Sequence, residues 1–204
     1  MTISLPKKTR RIHLTKLLAF PVVALALVTH HTFDESSYID AGMETAGFIL
    51  LVTAALGRLW AASYISGRKN AVLVTDGPYS IVRNPLYFFS FLGFVGAGLA
   101  FESWTLAALF GLLFFITHWP VIVREENYLR GVYGDDFTLY AERVPRFVPR
   151  PWVLSPAPAL VSISPRLFGR AVMESALVLC VFLAAETVER IHLVNPATVL
   201  LHLP

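Results

Sequence analysis

The chain alternates long stretches without formal charge and short stretches dense in it. Leu17 to Phe33 carries no Asp, Glu, Lys or Arg. Ala41 to Ala62 carries only Glu44 and Arg58, each near enough to an end for its side chain to reach an interface. From Leu86 to Val123 the sole charged residue is Glu102, which divides the run into Leu86–Phe101 and Ser103–Val123. Each arm approaches the ~20 residues (range ~17–25) that a helix needs to cross a hydrocarbon core. A helical hairpin with a very short turn would therefore hold Glu102 in water at its tip. Ala171 to Ala185 is interrupted by Glu174 and followed by Glu186, Glu189 and Arg190. It reads as a fifth span or as an in-plane or re-entrant helix. Pro196 to Pro204 reads as a short apolar tail at an interface. Lipid leaves no partner for unpaired backbone groups and no alternating barrel pattern is present, so helix is the predicted secondary structure. The predicted fold is all-α, a polytopic membrane protein of about five transmembrane helices.

Composition agrees with that pattern. Of 204 residues 55% are hydrophobic and 15% charged, and the mean hydropathy of +0.61 is too apolar for an ordinary soluble domain. The length suggests a single domain over 1–204. Lys7, Lys8, Arg10, Arg11 and Lys16 precede the first apolar run as they would in a signal peptide, but the following Thr29-His30-His31-Thr32-Phe33 lacks the small residues of a cleavage site. An uncleaved first helix is expected. With five spans and a cytoplasmic N-terminus, the tail, the Tyr64–Pro85 connection and the Arg124–Arg170 segment share one side. These regions, with Arg58 at the adjoining helix end, hold every Lys and Arg except Arg190, as the positive-inside rule requires. The net charge of +3 is thus topogenic and suited to anionic lipid headgroups, not to nucleic acid. Cys180 is the single cysteine, so no intrachain disulfide is expected.

Two polar clusters lie on the predicted cytoplasmic side. The first runs from Ala71 to Tyr87. Gly77-Pro78 marks a turn, and Asn84-Pro85 has the form of a capping residue followed by proline at the first helical position. Tyr79, Arg83, Asn84 and Tyr87 concentrate hydrogen-bonding and aromatic groups where the chain enters lipid. The second cluster comprises Arg124-Glu125-Glu126, Tyr133-Gly134-Asp135-Asp136-Phe137, Tyr140 and Val144-Pro145-Arg146-Phe147-Val148-Pro149. Leu129, Tyr133, Phe137, Tyr140 and Val144 recur near helical spacing, Gly134 is the expected helix stop and Asp135 the expected new N-cap. Taken singly, the clusters read as an interfacial belt and an amphipathic surface helix.

Together they resemble a family. The order G-P-Y-x-x-V-R-N-P-x-Y, hairpin, R-E-E, Y-G-D-D-F, V-P-R-F-V-P is similar to the cofactor-binding half of the isoprenylcysteine carboxyl methyltransferase and phospholipid methyltransferase group, over roughly residues 58–150, with 151–204 as C-terminal helix and tail. The resemblance implies a membrane methyltransferase with S-adenosyl-L-methionine in a cytoplasm-facing pocket and a lipophilic or membrane-bound acceptor. It assigns to cofactor contact the backbone of Val72, Leu73 and Val74, the ring of Tyr79, and Asn84, Pro85, Leu86 and Tyr87. Glu125 falls at the family's cofactor acid, and Arg58 near a functionally important arginine. Asn84 departs from the family's usual histidine, which keeps hydrogen bonding but removes any acid/base role.

The residue types suit that cofactor. A sulfonium is attracted to an aromatic face by ~0.5–2 kcal/mol. Glu125 matches an ammonium, and Arg83 or Arg124 a carboxylate. Glu126 is open to cofactor binding, to support of Glu125 or to simple solvation, of which the last two are favoured. In-line methyl transfer needs positioning and dryness, with no metal. His13, His30, His31, His118, His192 and His202 are scattered, and no metal site is predicted. Pro120 is expected to kink its helix and open a lateral gap. The alternatives are a sterol-type NADPH-dependent membrane reductase, which shares a proline–tyrosine helix start and an acidic pair, and a non-catalytic membrane protein.

Overall fold

The computed structural model describes residues 20–31, 37–68, 72–155 and 160–203. Residues 1–19, with the basic N-terminal tail, and residues 32–36, 69–71, 156–159 and 204 lie outside them. Residues 20–28 are helical (α1). They are followed by α2 (Tyr38–Ile65), α3 (Pro78–Ile81), α4 (Pro85–Leu99), α5 (Trp104–Tyr133), α6 (Asp135–Arg143) and α7 (Pro165–Val194). The fold is all-α, as expected. Helices α2, α5 and α7 are each long and apolar enough to cross a membrane. Helix α4, with 15 residues, is shorter, and spans only ~22 Å at 1.5 Å per residue.

Small residues let α2 and α4 approach closely, the usual solution where lipid supplies no hydrophobic drive between helices. A Cβ added to Gly47 would stand 2.6 Å from the Ala100 nitrogen, and one on Gly96 2.9 Å from Leu50 Cβ. Helix α5 packs on the other side of α4, and α1 rests on its first turns through Ala26, Leu106, Phe110 and Leu113. Helix α7 lies against α2 and α4, burying Ala185 with Leu51, Ala97 and Ala100. Most of α7 remains exposed and apolar, including Met173, Leu177 and Leu183, as suits contact with acyl chains.

The segment 171–185 is thus part of a 30-residue helix, much longer than its uncharged stretch. Likewise Arg124-Glu125-Glu126 does not open a separate surface helix. Helix α5 runs without interruption through Pro120 to Tyr133. Gly134, at φ 53°, ends α5 and precedes α6, so the N-cap is Gly134, with Asp135 in the first turn, where its charge favours the helix dipole. An open apolar groove lined by Phe115, Ile116 and Trp119 lies on the turn before Pro120.

One expectation is corrected at the far end of the bundle. Glu102 is not in water. It sits in the α4–α5 turn at φ 52° and is only 4% exposed, because Asp40 in the first turn of α2 closes over it with a side-chain hydrogen bond. Burial, with the neighbouring carboxylates of Glu189, Asp40 and Glu44, pushes its pKa up to about 8. At the same end the C-terminal tail is tied to the start of the described chain. Leu201–Leu203 (β2) pairs in parallel with Thr29–His31 (β1), His202 opposite His30.

Candidate active site

At the opposite end, the two polar clusters meet. The start of α4 is set by Asn84 as N-cap with Pro85 at the first helical position, as predicted, yet the Asn84 side chain does not cap the helix. Its Nδ2 donates instead to Glu126 Oε1 at 2.8 Å and to the Arg146 carbonyl at 3.1 Å. Glu126 Oε2 accepts from Arg146 Nε at 2.9 Å and from Arg83 Nη1 at 3.3 Å. Glu126 is 3% exposed. Of the three readings open for Glu126, simple solvation is overturned: it faces inward, where three donors from two separate segments satisfy both oxygens. A carboxylate buried at this depth would be prohibitive without such partners.

Backbone contacts close the same junction. Arg83 N–H donates to the Pro145 carbonyl and Arg150 N–H to that of Ile81, each at 2.9 Å. The Tyr140 hydroxyl donates to the Tyr79 carbonyl at 2.7 Å. Phe137, Tyr140 and Val144 form a buried cluster against Leu73, Leu129 and Tyr133, which turns the predicted amphipathic face of α6 toward the 72–82 connection. Phe147 returns into the bundle among Phe88, Phe91, Phe114, Phe115 and Trp119. The V-P-R-F segment is thereby held at both its charged and its aromatic residue.

Several predicted residues surround this junction. Val74 is buried with Tyr64 and Tyr79, Leu73 is half-buried and Val72 exposed. Pro85 is buried, Leu86 and Tyr87 half-buried, and Glu125 and Arg124 exposed on the outer surface of α5. Tyr79 Oη is buried and meets no hydrogen-bond partner among the described residues; Arg83 Nε is in the same condition. Burial, then the neighbouring Tyr140, Glu125 and Tyr87, raises the Tyr79 phenol far above its ordinary range. Glu125 and Tyr87 are therefore each within electrostatic reach of Tyr79. Burial lowers the Arg83 guanidinium, Glu126 opposes that, and Arg146 reinforces it. Two guanidinium groups on one carboxylate leave excess positive charge here.

Arg58 stands apart. Its guanidinium bonds the Ser90 hydroxyl and, at 2.5 Å, Glu174 Oε2 of α7, deeper along α4 than Asn84. Arg146, inside the V-P-R-F-V-P motif, and Tyr140, on the predicted apolar face, were named in the sequence but given no role in the site; their signal was the motif and the helical spacing. Among the described residues, no three His, Cys, Asp or Glu side chains are grouped so as to hold a metal ion.

Comparison with known proteins bears on the same stretch. Residues 43–136 match the phospholipid methyltransferase family model. The chain is 45% identical over 129 residues to the nickel-cobalt-cadmium resistance protein NccN of Alcaligenes xylosoxydans xylosoxydans, covering 63% of this chain and 60% of that protein. It is 39% identical over 140 residues to the cobalt-zinc-cadmium resistance protein CzcN of Cupriavidus metallidurans, covering 69% and 64%. The chain thus spans less than two thirds of the length of either. It is also 33% identical over 81 residues to a protein-S-isoprenylcysteine O-methyltransferase of Schizosaccharomyces pombe, covering 40% and 34%. No solved structure matches. The resemblance read from the sequence is therefore borne out: residues 43–136 match the phospholipid methyltransferase family model, and a part of the chain is distantly similar to an isoprenylcysteine O-methyltransferase.

Proposed function

We propose that this protein is an integral membrane methyltransferase using S-adenosyl-L-methionine, with its cofactor site at the junction of the 72–87 and 124–149 segments. The observation that carries this reading is the convergence of Arg83, Asn84 and Arg146 on buried Glu126. The surrounding chemistry fits the cofactor. The Tyr79 hydroxyl and Arg83 Nε are buried donors open to a ligand. The surplus of guanidinium charge suits a carboxylate, and exposed Glu125, within electrostatic reach of Tyr79, suits an ammonium beside an aromatic face.

When bound between these segments, the cofactor would supply an electrophilic methyl group to the acceptor's lone pair, with sulfur as the leaving group. The protein's part is to orient and to exclude water. Glu126 holds the two segments in register, Tyr79 and Tyr87 wall the site, and Asn84, whose Nδ2 protons are both engaged, performs no proton transfer. The acceptor is lipophilic or membrane-bound, reached from the lipid phase.

Titration of detergent-purified protein with S-adenosylhomocysteine and with NADPH tests the reading. Binding of the former alone supports it; binding of NADPH alone would favour the reductase. Orientation is tested in a Cys180→Ser background: Cys variants at Ser37 and Asn127 should label from opposite sides, with Asn127 cytoplasmic. The names of the two metal-resistance relatives suggest a setting in which methylation of a membrane component contributes to tolerance of divalent metals. Growth on cobalt of cells carrying wild-type or Glu125→Gln chains tests it. Equal tolerance would separate any resistance role from methyl transfer.

A further inference from the structure

Three helices cross one another around Arg58. On α4, Ser90 Oγ donates to the Leu86 carbonyl at 2.8 Å, so its hydroxyl proton is committed and the oxygen is left to accept from Arg58 Nη1. On α7, Ser175 is buried and donates to the Ala55 carbonyl of α2 at 3.2 Å. Val178, one turn further on, approaches Gly93, one turn beyond Ser90. These contacts fix the rotation of α7, so that Glu174 meets Arg58 Nη2 at 2.5 Å. The result is a continuous chain of bonds from Glu174 through Arg58 and Ser90 to the backbone of Leu86, in the first turn of the helix that opens at Asn84.

The pair lies well away from the ends of its two helices. Arg58 is seven residues before the end of α2 and Glu174 nine after the start of α7, ~10 and ~13 Å from those ends at 1.5 Å per residue. Ionised residues at such depth are costly and mark functional sites more often than structural ones. As a structural fastening the pair is weak, since an ion pair with an exposed partner contributes little to stability. Moreover, its two ends are unequal: the Arg58 side chain is 18% exposed and that of Glu174 49%. Arg58 Nε is buried with no hydrogen-bond partner among the described residues. Each terminal nitrogen is thus anchored by one bond to protein, while the buried Nε donor stays available.

Resting on the methyltransferase reading, we propose that Glu174 is a positioning residue: it holds the Arg58 guanidinium against Ser90 beneath the cofactor site, leaving Nε to an oxygen of the incoming acceptor. Glu174 acts through Arg58 and need not touch the acceptor itself.

The test uses full-length protein in nanodiscs, with S-adenosyl-L-methionine and two acceptor probes, N-acetyl-S-farnesylcysteine and dioleoylphosphatidylethanolamine. Glu174→Ala should lower kcat about tenfold or more, the scale of a misplaced reacting group, while the Kd for S-adenosylhomocysteine stays within about twofold. Glu174→Gln, whose amide oxygen can accept the same hydrogen bond, should recover most of the loss. The reversed pair, Arg58→Glu with Glu174→Arg, should regain thermal stability lost by either single change but not turnover. Wild-type kcat in folded Glu174→Ala would overturn the proposal, as would turnover restored together with stability by the reversed pair. Should the reversed pair not fold, the Ala and Gln variants decide alone. A wild type that binds S-adenosylhomocysteine and methylates one probe leaves the methyltransferase reading standing whatever Glu174 does; one that methylates neither removes that reading and this proposal together.

Discussion

Asn84 Nδ2 lies 2.8 Å from Glu126 Oε1, a hydrogen bond between residues 42 positions apart that joins the first turn of α4 to the last turns of α5. The same carboxylate holds Arg83 and Arg146. Its loss would leave two guanidinium groups facing each other in a poorly hydrated junction. Glu126→Leu should therefore destabilise the protein by about 3–5 kcal/mol, the range for removing one partner of a buried pair. Unfolding followed by tryptophan fluorescence in detergent measures it. A change below about 1 kcal/mol, the worth of an exposed pair, would mean that the network is not as described.

Glu125, one residue earlier, should behave in the opposite way. It is exposed on the outer surface of α5, so Glu125→Gln should leave apo stability nearly unchanged. S-adenosylmethionine binding should weaken by roughly 1.5–3 kcal/mol, the scale of a lost hydrogen bond to a charged group. Asp135→Asn, in the first turn of α6, serves as the control and should leave binding intact. Calorimetry on the three proteins separates these outcomes, and equal affinity for wild type and Glu125→Gln would move the ammonium site elsewhere.

Tyr79 offers a cleaner separation of folding from binding. Its hydroxyl is buried without a hydrogen-bond partner among the described residues, so Tyr79→Phe deletes an unsatisfied group and should leave the ligand-free protein as stable or more so. If that hydroxyl serves the cofactor, affinity should fall by about 0.5–1.5 kcal/mol, the net worth of one neutral hydrogen bond. Thermal shift with and without S-adenosylhomocysteine reads both quantities. A ligand-induced shift that is undiminished in the variant would exclude the hydroxyl from the site.

Glu102 predicts a pH dependence. Its pKa rises from the ordinary 4.5 to about 8 on folding, so between those values the folded chain holds a proton that the unfolded chain has released. The stabilisation is complete below about 4.5 and is lost as pH rises through about 8. Around it lie Asp40 and Glu44 from α2 and Glu189 from α7, with His30 and His192 lining the same small cavity. Wild type should lose thermal stability between pH 5 and about pH 8, and Glu102→Gln, neutral throughout, should lose less. Parallel curves for the two proteins would assign the effect to other groups.

The parts of this protein legible along the chain are those governed by local composition. Uncharged length marked α2, α5 and the core of α7, because a hydrocarbon solvent excludes charge over a fixed thickness. The Asn84-Pro85 helix start and the Gly134 stop were readable because proline and glycine constrain the backbone at their own positions. The family pattern located the polar junction for a related reason, since its residues lie in two short, ordered stretches. What the chain could not declare was which polar side chains turn inward. Glu125 and Glu126 are adjacent and chemically alike, and differ by about 100° around one helix. Only the arrival of Asn84, Arg83 and Arg146 makes one a buried anchor and leaves the other exposed. The burial of Glu102 depends in the same way on Asp40, and Arg58 meets a partner 116 residues away. Those partnerships follow from how the helices rotate and approach, which is set by close contacts such as Gly47 on Ala100. No window along a single helix contains that information, because the energy that decides it is shared between helices.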